Sequence, residues 1–301
     1  MEREQKTLIV ITGPTGVGKT AAAIEVAERL GCEIINADSR QIYRDIPIGT
    51  SAPTAEEQRR VRHHFVGIKN LDEYYSAAEF ESDVLRLLDG DLWHHGDYTV
   101  MCGGSMLYVD AVCRGIDELP TISDAVRSAV AQKWQEEGSE ALLEELRLLD
   151  PEYYEQVDRK NMKRVAHAVE ICREAGRPYS TLRTGRAKTR DFRIVKMGLT
   201  LPREELFARI NRRVDAMLEA GLEAEARAVY HLRHLNSLNT VGFKEMFAYF
   251  DGQMDYVTAC ERIKKNTRVY AKKQLTWYAK DAEIEWCSPD ELGDAALRRL
   301  V

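Results

Sequence analysis

The chain has 301 residues, of which 44% are hydrophobic and 31% charged, and its formal net charge is −6. This composition is typical of a soluble globular protein with one large or two moderate domains. No stretch approaches the ~20 apolar residues of a membrane-spanning helix, so we expect no membrane partner. The negative charge excludes a protein coated in positive potential, although it allows a local basic groove.

Cysteine usage and the N-terminus indicate a cytoplasmic location. Residues 1–6 are charged and lack the apolar core of a secretory signal. The six cysteines include no C-x-x-C pair, which suits reduced thiols better than a disulfide framework or a zinc site. Two histidine doublets, at 63–64 and 94–95, are expected to be structural or solvent-facing, because adjacent side chains point in different directions.

The first predicted element is an apolar strand over residues 8–11, and a glycine-rich segment follows it. This segment matches the pattern G-x-x-x-x-G-K-[ST] with Gly13, Pro14, Thr15, Gly16, Val17, Gly18, Lys19 and Thr20. Glycines let the backbone curl so that successive N–H groups point at phosphate oxygens. Lys19 adds a positive charge, and the Thr20 hydroxyl can hold Mg²⁺ against the phosphates. A helix over residues 20–30 turns its positive end toward the same anion. We predict a phosphate site rather than a plain turn, but the loop does not say whose phosphate binds.

Strands and helices alternate through the first 118 residues. Further strands are predicted over residues 33–36 and 98–102, with helices over 76–88 and from about 105. Apolar strands separated by helices indicate a parallel sheet covered on both faces. Ligands bind such sheets at the carboxyl ends of the strands.

Two polar residues follow these strand ends. Asp38 comes after the second predicted strand and could hold a metal or take a proton, or it could cap a turn. Ser105 comes after Gly103 and Gly104 and is either a second polar contact or a helix cap. Both side chains are expected near the phosphate loop.

From residue 119 to 189 the pattern becomes helical and rich in charge. Apolar residues recur at helical spacing in two runs: Leu142, Leu143, Leu146 and Leu149, then Met162, Val165, Val169 and Cys172. A strand over 193–201 then returns the chain to the sheet, so 119–189 is predicted to be an insertion. Helices over 202–218, 221–235 and 253–280 follow it.

The predicted helices carry three basic features. Lys160, Lys163, Arg164 and His167 share one face of an insertion helix, which is either a binding stripe or a solvated face. Arg209 and Arg213 lie four residues apart and could clamp a phosphate or pair with Glu205 and Asp215. Residues 262–280 contain seven Lys or Arg and no acidic residue, and Lys264, Arg268 and Lys272 align on one face. Such a face can follow a nucleic-acid backbone or simply be solvated.

One feature of ATP-hydrolysing machines is missing from the sequence. Neither strand after the phosphate loop ends in an Asp-Glu pair. The loop can therefore bind the phosphate tail of a molecule other than ATP.

In this order the motifs resemble those of the tRNA dimethylallyltransferase (tRNA isopentenyltransferase) family. The resemblance rests on residues 13–20, 38–43, 48–50, 103–108, 198–199 with Arg209 and Arg213, 241–244, 267–268 and 273–277. It spans nearly the whole chain and is far more specific than the phosphate loop alone. It implies a P-loop NTPase-like α/β core formed by residues 1–118 and 190–301, with 119–189 as an inserted all-helical domain that binds tRNA.

The resemblance also implies a reaction. A dimethylallyl group would pass from dimethylallyl diphosphate to N6 of the adenine at position 37 of tRNA, next to the anticodon, with Mg²⁺ as cofactor and diphosphate as product. Residues 13–20 and Arg209 would bind the diphosphate, and Thr20 would contact the metal. Asp38 would act as the base, Lys19, Thr20 and Arg213 would stabilise the leaving group, and Ser105 would form a polar wall beside the adenine.

The resemblance implies a set of tRNA contacts as well. They carry over to Asp38, Ser39, Arg40, Gln41, Ser105, Arg127, Lys163, Arg164, His167, Asn239, Thr240, Val241, Gly242, Phe243 and Lys244. A monomer acting on the tRNA anticodon stem-loop is expected. The alternatives are an adenylate isopentenyltransferase that prenylates free nucleotide and a small-molecule P-loop kinase. The insertion and the cationic final helix argue against a free nucleotide, which needs neither.

Overall fold

A computed structural model describes residues 6–94 and 96–300, except for the side chain of His94. Residues 1–5 and His95 fall outside the described residues, and so do the expectations made for the N-terminus and for the second histidine doublet. The described chain divides into two compact units. One contains the residues up to Cys113 and those from Thr189 onward, and the other is Arg114–Lys188.

The first unit is built on a parallel sheet of six strands in the order β3-β2-β4-β1-β5-β6. The strands are β1 Thr7–Thr12, β2 Ile34–Asn36, β3 His63–His64, β4 Tyr98–Cys102, β5 Arg193–Leu199 and β6 Glu285–Cys287. The predicted parallel α/β sheet is therefore confirmed. In β1, Leu8 and Val10 belong to one apolar cluster, whereas Ile9 and Ile11 belong to another. A strand that buries both of its faces in this way needs helices on each side of the sheet.

Within the described residues of the first unit, ten α-helices cover the sheet and its carboxyl edge. They are α1 Lys19–Leu30, α2 Pro47–Thr50, α3 Ala55–Arg60, α4 Ala77–Gly90, α5 Met106–Arg114, α10 Arg203–Glu219, α11 Leu222–Val229, α12 Phe243–Phe250, α13 Tyr256–Tyr278 and α14 Leu292–Leu300. Local sequence explains the main boundaries. Gly18 and Gly31, both with left-handed backbone, bound α1, and Ser76 with Glu79 forms a capping box at α4.

The second unit is entirely helical within the described residues. Its helices are α6 Asp124–Leu149, α7 Pro151–Gln156, α8 Met162–Ala175 and α9 Tyr179–Leu182. Gly138, with φ 84°, breaks α6 into two pieces. The two apolar runs predicted from the sequence supply the core of this unit, in which Leu142, Leu146, Val165 and Val169 are fully buried.

Several short elements were not predicted. The edge strands β3 and β6 have only two and three residues, too few for an alternating pattern to be recognised. Helix α12 was missed, and the helix predicted over 221–235 ends at Val229 and continues as 3₁₀ turns. In the described part of the chain, no helix combines the length and apolar character needed to cross a membrane.

Candidate active site

The phosphate loop connects β1 to α1 at the carboxyl edge of the sheet. Gly13 has φ 139°, and a Cβ there would lie 2.6 Å from the carbonyl oxygen of Leu199 on the neighbouring strand β5. Glycine is therefore required at this position on two grounds, space and backbone conformation. Because α1 begins directly after Gly18, its unpaired N–H groups lie beside the loop, as an anion site requires.

Lys19 lies under this loop with its ammonium group enclosed. Its Nζ donates to the carbonyls of Gly13 at 3.0 Å and Pro14 at 2.9 Å. The pKa of Lys19 is lowered from 10.5 to about 8, mainly because the group is buried. The charge of Arg213 also lowers this pKa, whereas Cys102 and Asp38 act in the opposite direction. A bound phosphate would place negative charge next to this buried ammonium group. That charge would favour the protonated form of Lys19, so the site is suited to binding an anion.

The strand order brings three loops side by side. The loops after β2, β4 and β1 carry Asp38, Ser105 and the phosphate loop, and β4 lies between β2 and β1. Ser105 Oγ donates to Ser39 Oγ at 3.0 Å and accepts the Ser39 N–H at 2.8 Å. Asp38 Oδ1 accepts the N–H groups of Arg40 at 2.9 Å and Gln41 at 3.3 Å. Ser105 thus fixes the loop that carries Asp38. Asp38 also has the turn geometry that the sequence left open.

Arg213 and Arg209 project from α10 toward the phosphate loop. Arg213 Nε donates to Ser51 Oγ at 2.9 Å, and burial lowers its pKa, although Asp38 acts in the opposite direction. A Cβ on Gly18 would lie 3.3 Å from Arg209 Nη2, so this guanidinium borders the loop. Arg209 pairs with Glu205 at 3.9 Å, as one alternative predicted. Asp215 pairs with Lys264 at 2.8 Å.

Helix α13 presents a different face to the site from the one that its charge pattern suggested. The aligned basic residues contact α10: Lys264 pairs with Asp215, Arg268 donates to Asn211 at 2.6 Å, and the Lys272 ammonium lies 5.4 Å from the centre of the Phe207 ring. Lys264 and Arg268 are therefore half-buried beside a neighbouring helix, whereas Lys272 stays exposed. Binding of nucleic acid by this stripe stays a prediction.

The adjacent face of α13 lines the site instead. Its cavity-lining residues are Ile263, Asn266, Thr267, Val269, Tyr270 and Lys273. Burial and the Asp38 charge raise the pKa of Tyr270 to about 12, so its phenol stays protonated near neutral pH. Most residues of this face belong to no motif that the sequence offers for the site. The signal that marks it is its amphipathic spacing, since these positions recur at three- and four-residue intervals.

The loop before α12 closes another side of the site. Arg40 Nη1 donates to the carbonyls of Asn236 at 2.8 Å and Ser237 at 3.0 Å, which ties this loop to that of Asp38. Buried Glu245 on α12 accepts from the Gly242 N–H at 2.8 Å and from Asn266 Nδ2 at 2.7 Å. The loop is therefore held at both ends.

These parts surround a cavity of about 510 Å³, within the size range of small-molecule sites. Among the predicted site residues, its lining includes Thr15, Gly16, Asp38, Ser39, Arg40, Ser105, Arg213, Asn239, Thr240, Val241 and Lys244. One wall is apolar and consists of Ile210, Val214, Met217, Val241 and Ile263. The cavity thus joins part of the phosphate loop, a carboxylate and an apolar wall.

Other predicted residues lie behind the lining or in the second unit. The Val17 and Phe243 side chains are fully buried in the apolar cores, so neither can offer its side chain to a ligand. Gln41 Nε2 donates to the carbonyls of Thr50 at 3.0 Å and Ser51 at 2.9 Å. In the second unit, Arg127 lies on α6, and Lys163, Arg164 and His167 form an exposed row on α8.

A family model described as IPP transferase matches residues 41–281 of the chain. This chain belongs to the IPP transferase family. It is 54% identical over 285 residues to tRNA dimethylallyltransferase 2 of Parabacteroides distasonis, with 95% of each chain covered. It is also 54% identical over 290 residues to the protein of that name from Porphyromonas gingivalis, with 96% of each chain covered.

Solved structures of this family share the fold. The full-length tRNA isopentenylpyrophosphate transferase of Bacillus halodurans is 35% identical and superposes with a TM-score of 0.70, covering 98% of this chain and 97% of that one. A eukaryotic dimethylallyltransferase acting on tRNA is 24% identical with a TM-score of 0.82, covering 98% of this chain and 78% of that one. The P-loop NTPase-like core predicted from the sequence is the fold of these enzymes.

Proposed function

We propose that this IPP transferase family member is a tRNA dimethylallyltransferase. It transfers the dimethylallyl group of dimethylallyl diphosphate to N6 of the adenine at position 37 of tRNA and releases diphosphate. The observation that carries the proposal is that the phosphate loop and Asp38 border one cavity. A phosphate cradle beside a carboxylate base suits a reaction in which diphosphate leaves as a weakly nucleophilic amine attacks. The apolar wall of the cavity suits a five-carbon isoprenoid chain.

The chemistry assigns a role to each polar group. As the bond from N6 to C1 of the donor forms, the bond from C1 to the diphosphate oxygen breaks. Asp38 accepts the proton released from N6; without this transfer the product amine would stay positively charged. Lys19, Arg209, Arg213 and the loop N–H groups stabilise the negative charge that moves to the diphosphate. Ser105 holds the Asp38 loop and forms the polar wall beside the adenine.

The residues present fit a magnesium ion that is bound largely through the substrate. Among the described residues, no group of three or more His, Cys, Asp or Glu side chains is arranged to hold a metal. Mg²⁺ commonly keeps several waters and binds substrate phosphates with few protein ligands. Thr20, the second residue of α1, would supply the protein ligand. The ion would neutralise diphosphate charge.

For tRNA we propose two contact surfaces. One is the rim of the cavity, formed by the loops that carry Asp38 and residues 239–244. The other is on the second unit, where Arg127, Lys163, Arg164 and His167 are exposed. The target adenine must leave its stack to enter a cavity, as in other enzymes that act on bases. We propose that the enzyme acts as a monomer in the cytoplasm.

The test is to incubate the protein with labelled dimethylallyl diphosphate and Mg²⁺, using unmodified tRNA or AMP as the acceptor. Label should enter tRNA without added ATP, and mass analysis of its nucleosides should give an adenosine heavier by one dimethylallyl group. Label in AMP alone would refute the tRNA acceptor. A requirement for ATP would favour a kinase and contradict the proposal.

A further inference from the structure

Gln274 on α13 is a buried polar residue to which the proposed chemistry gives no part. Its side chain is 1% exposed, and both ends of its amide are bonded. Oε1 accepts the N–H of Thr15, in the phosphate loop, at 2.8 Å. Nε2 donates to the carbonyl of Gly104, in the loop after β4, at 2.8 Å. One side chain thus joins two loops that come from neighbouring strands.

The loop after β4 carries this connection onward to the base. Gly104 precedes Ser105, whose N–H donates to the Ala37 carbonyl at 3.2 Å and whose hydroxyl holds Ser39. Asp38 lies between Ala37 and Ser39. The bonds therefore form a continuous path from the phosphate loop through Gln274 and Ser105 to the Asp38 loop.

The fit around Gln274 is tight on the Gly104 side. A Cβ built on Gly104 would lie 2.5 Å from Gln274 Nε2, well inside van der Waals contact. The backbone of Gly104 is not in the left-handed region, so space rather than conformation excludes a side chain here. Lys19 Nζ would lie 3.5 Å from the same Cβ, which places the Gln274 bridge beside the phosphate-binding lysine.

We infer that Gln274 is a positioning residue, which sets the spacing between the phosphate loop that holds the donor and the Ser105–Asp38 pair that holds the acceptor. This inference rests on the proposed function, since it names the part of that site that aligns its two halves. A transfer reaction depends steeply on such alignment, because a misplacement of about 1 Å can cost on the order of a hundredfold in rate.

Two variants disturb the bridge from opposite sides. Gln274→Leu removes both hydrogen bonds and keeps similar bulk, whereas Gly104→Ala displaces the Gln274 amide and leaves Gln274 itself unchanged. Each should lower the single-turnover rate, measured with saturating donor and tRNA, by about tenfold or more. The dissociation constant for tRNA should stay within twofold, because the bridge lies behind the cavity lining. The double variant should be no slower than the slower single variant, since both remove one interaction.

Circular dichroism and thermal unfolding establish that each variant is folded, and rates are expressed per folded molecule. Either of two results would overturn the inference: a rate within twofold of wild type for Gly104→Ala, or rate losses that multiply in the double variant. A different result would refute the proposed function. If wild-type protein labels AMP and not tRNA, the acceptor assignment is wrong, and the same variants then test the bridge with AMP as the acceptor.

Discussion

Asp38 combines a fixed backbone with an available oxygen. Its hydrogen bonds to the N–H groups of Arg40 and Gln41 both use Oδ1. Asp38→Asn keeps an oxygen for these bonds but cannot take a proton, so the loop should hold while the base is lost. We expect the single-turnover rate to fall by about 10²–10⁴-fold, the usual worth of a general base. The dissociation constant for tRNA, measured by filter binding, should change less than twofold. A rate within tenfold of wild type would remove Asp38 as the base.

The buried ammonium group of Lys19 predicts that binding of the diphosphate is coupled to proton uptake. With no anion bound, its pKa is about 8, below the ordinary 10.5, because burial disfavours its charge. Bound diphosphate favours the charged form and raises this pKa, so binding takes up protons between about pH 8 and the raised pKa. Affinity for dimethylallyl diphosphate should therefore fall as the pH rises above about 8.

Calorimetry in buffers of different ionisation enthalpy at pH 8.5 measures this uptake directly. Lys19→Arg is the matched control, because arginine keeps its charge over this range and should show no uptake. Equal uptake by wild type and Lys19→Arg would assign the proton to another group.

Residues near in sequence were predictable at this site, whereas partners distant in sequence were not. The phosphate loop is a local motif whose backbone conformation its own glycines determine. The Asp38 position follows from one strand end. In contrast, Ser51 and Gln274 meet their partners across 162 and 259 residues of chain. Hydrogen-bond partners at such separations depend on how elements pack, which local spacing does not specify.

At the scale of elements, helix α13 carries basic residues on two faces that have different surroundings. Lys264 pairs with Asp215 on α10, while Lys273, nine positions later, lines the cavity. Lys264→Gln should cost less than about 1 kcal/mol of unfolding free energy, as for other partly exposed ion pairs, and leave substrate binding within twofold. Lys273→Gln should weaken binding of diphosphate or tRNA about tenfold or more, because it removes a charge from the cavity.

Both variants remove one positive charge, so measuring chemical unfolding and equilibrium binding for each compares the two positions directly. The opposite ranking would restore the Lys264, Arg268 and Lys272 stripe as a binding surface. Helical periodicity showed that α13 has such a stripe, but not which neighbour covers it. Two faces of one helix are related by rotation alone, so only tertiary packing distinguishes them.

For the whole molecule, the electrostatic problem is how a chain of net charge −6 binds a polyanion. The cavity is lined by cations, among them Arg213, Lys244 and Lys273. The helical unit offers a second basic surface, formed by exposed Lys163, Arg164 and His167 on α8 and by exposed Lys160 in the turn before it. Binding should therefore depend on local charge rather than on the sum.

Salt dependence tests whether the α8 surface contacts phosphates. Each phosphate contact that is lost reduces the slope of log K against log salt by about 1. Lys163→Gln with Arg164→Gln should therefore lower the slope for tRNA by about 2 and leave binding of dimethylallyl diphosphate unchanged. Arg147→Gln is the control, because Arg147 is exposed in the same unit but pairs with Glu144. An equal slope for the double variant and wild type would make the α8 row a solvated face, and would leave tRNA binding to the cavity rim.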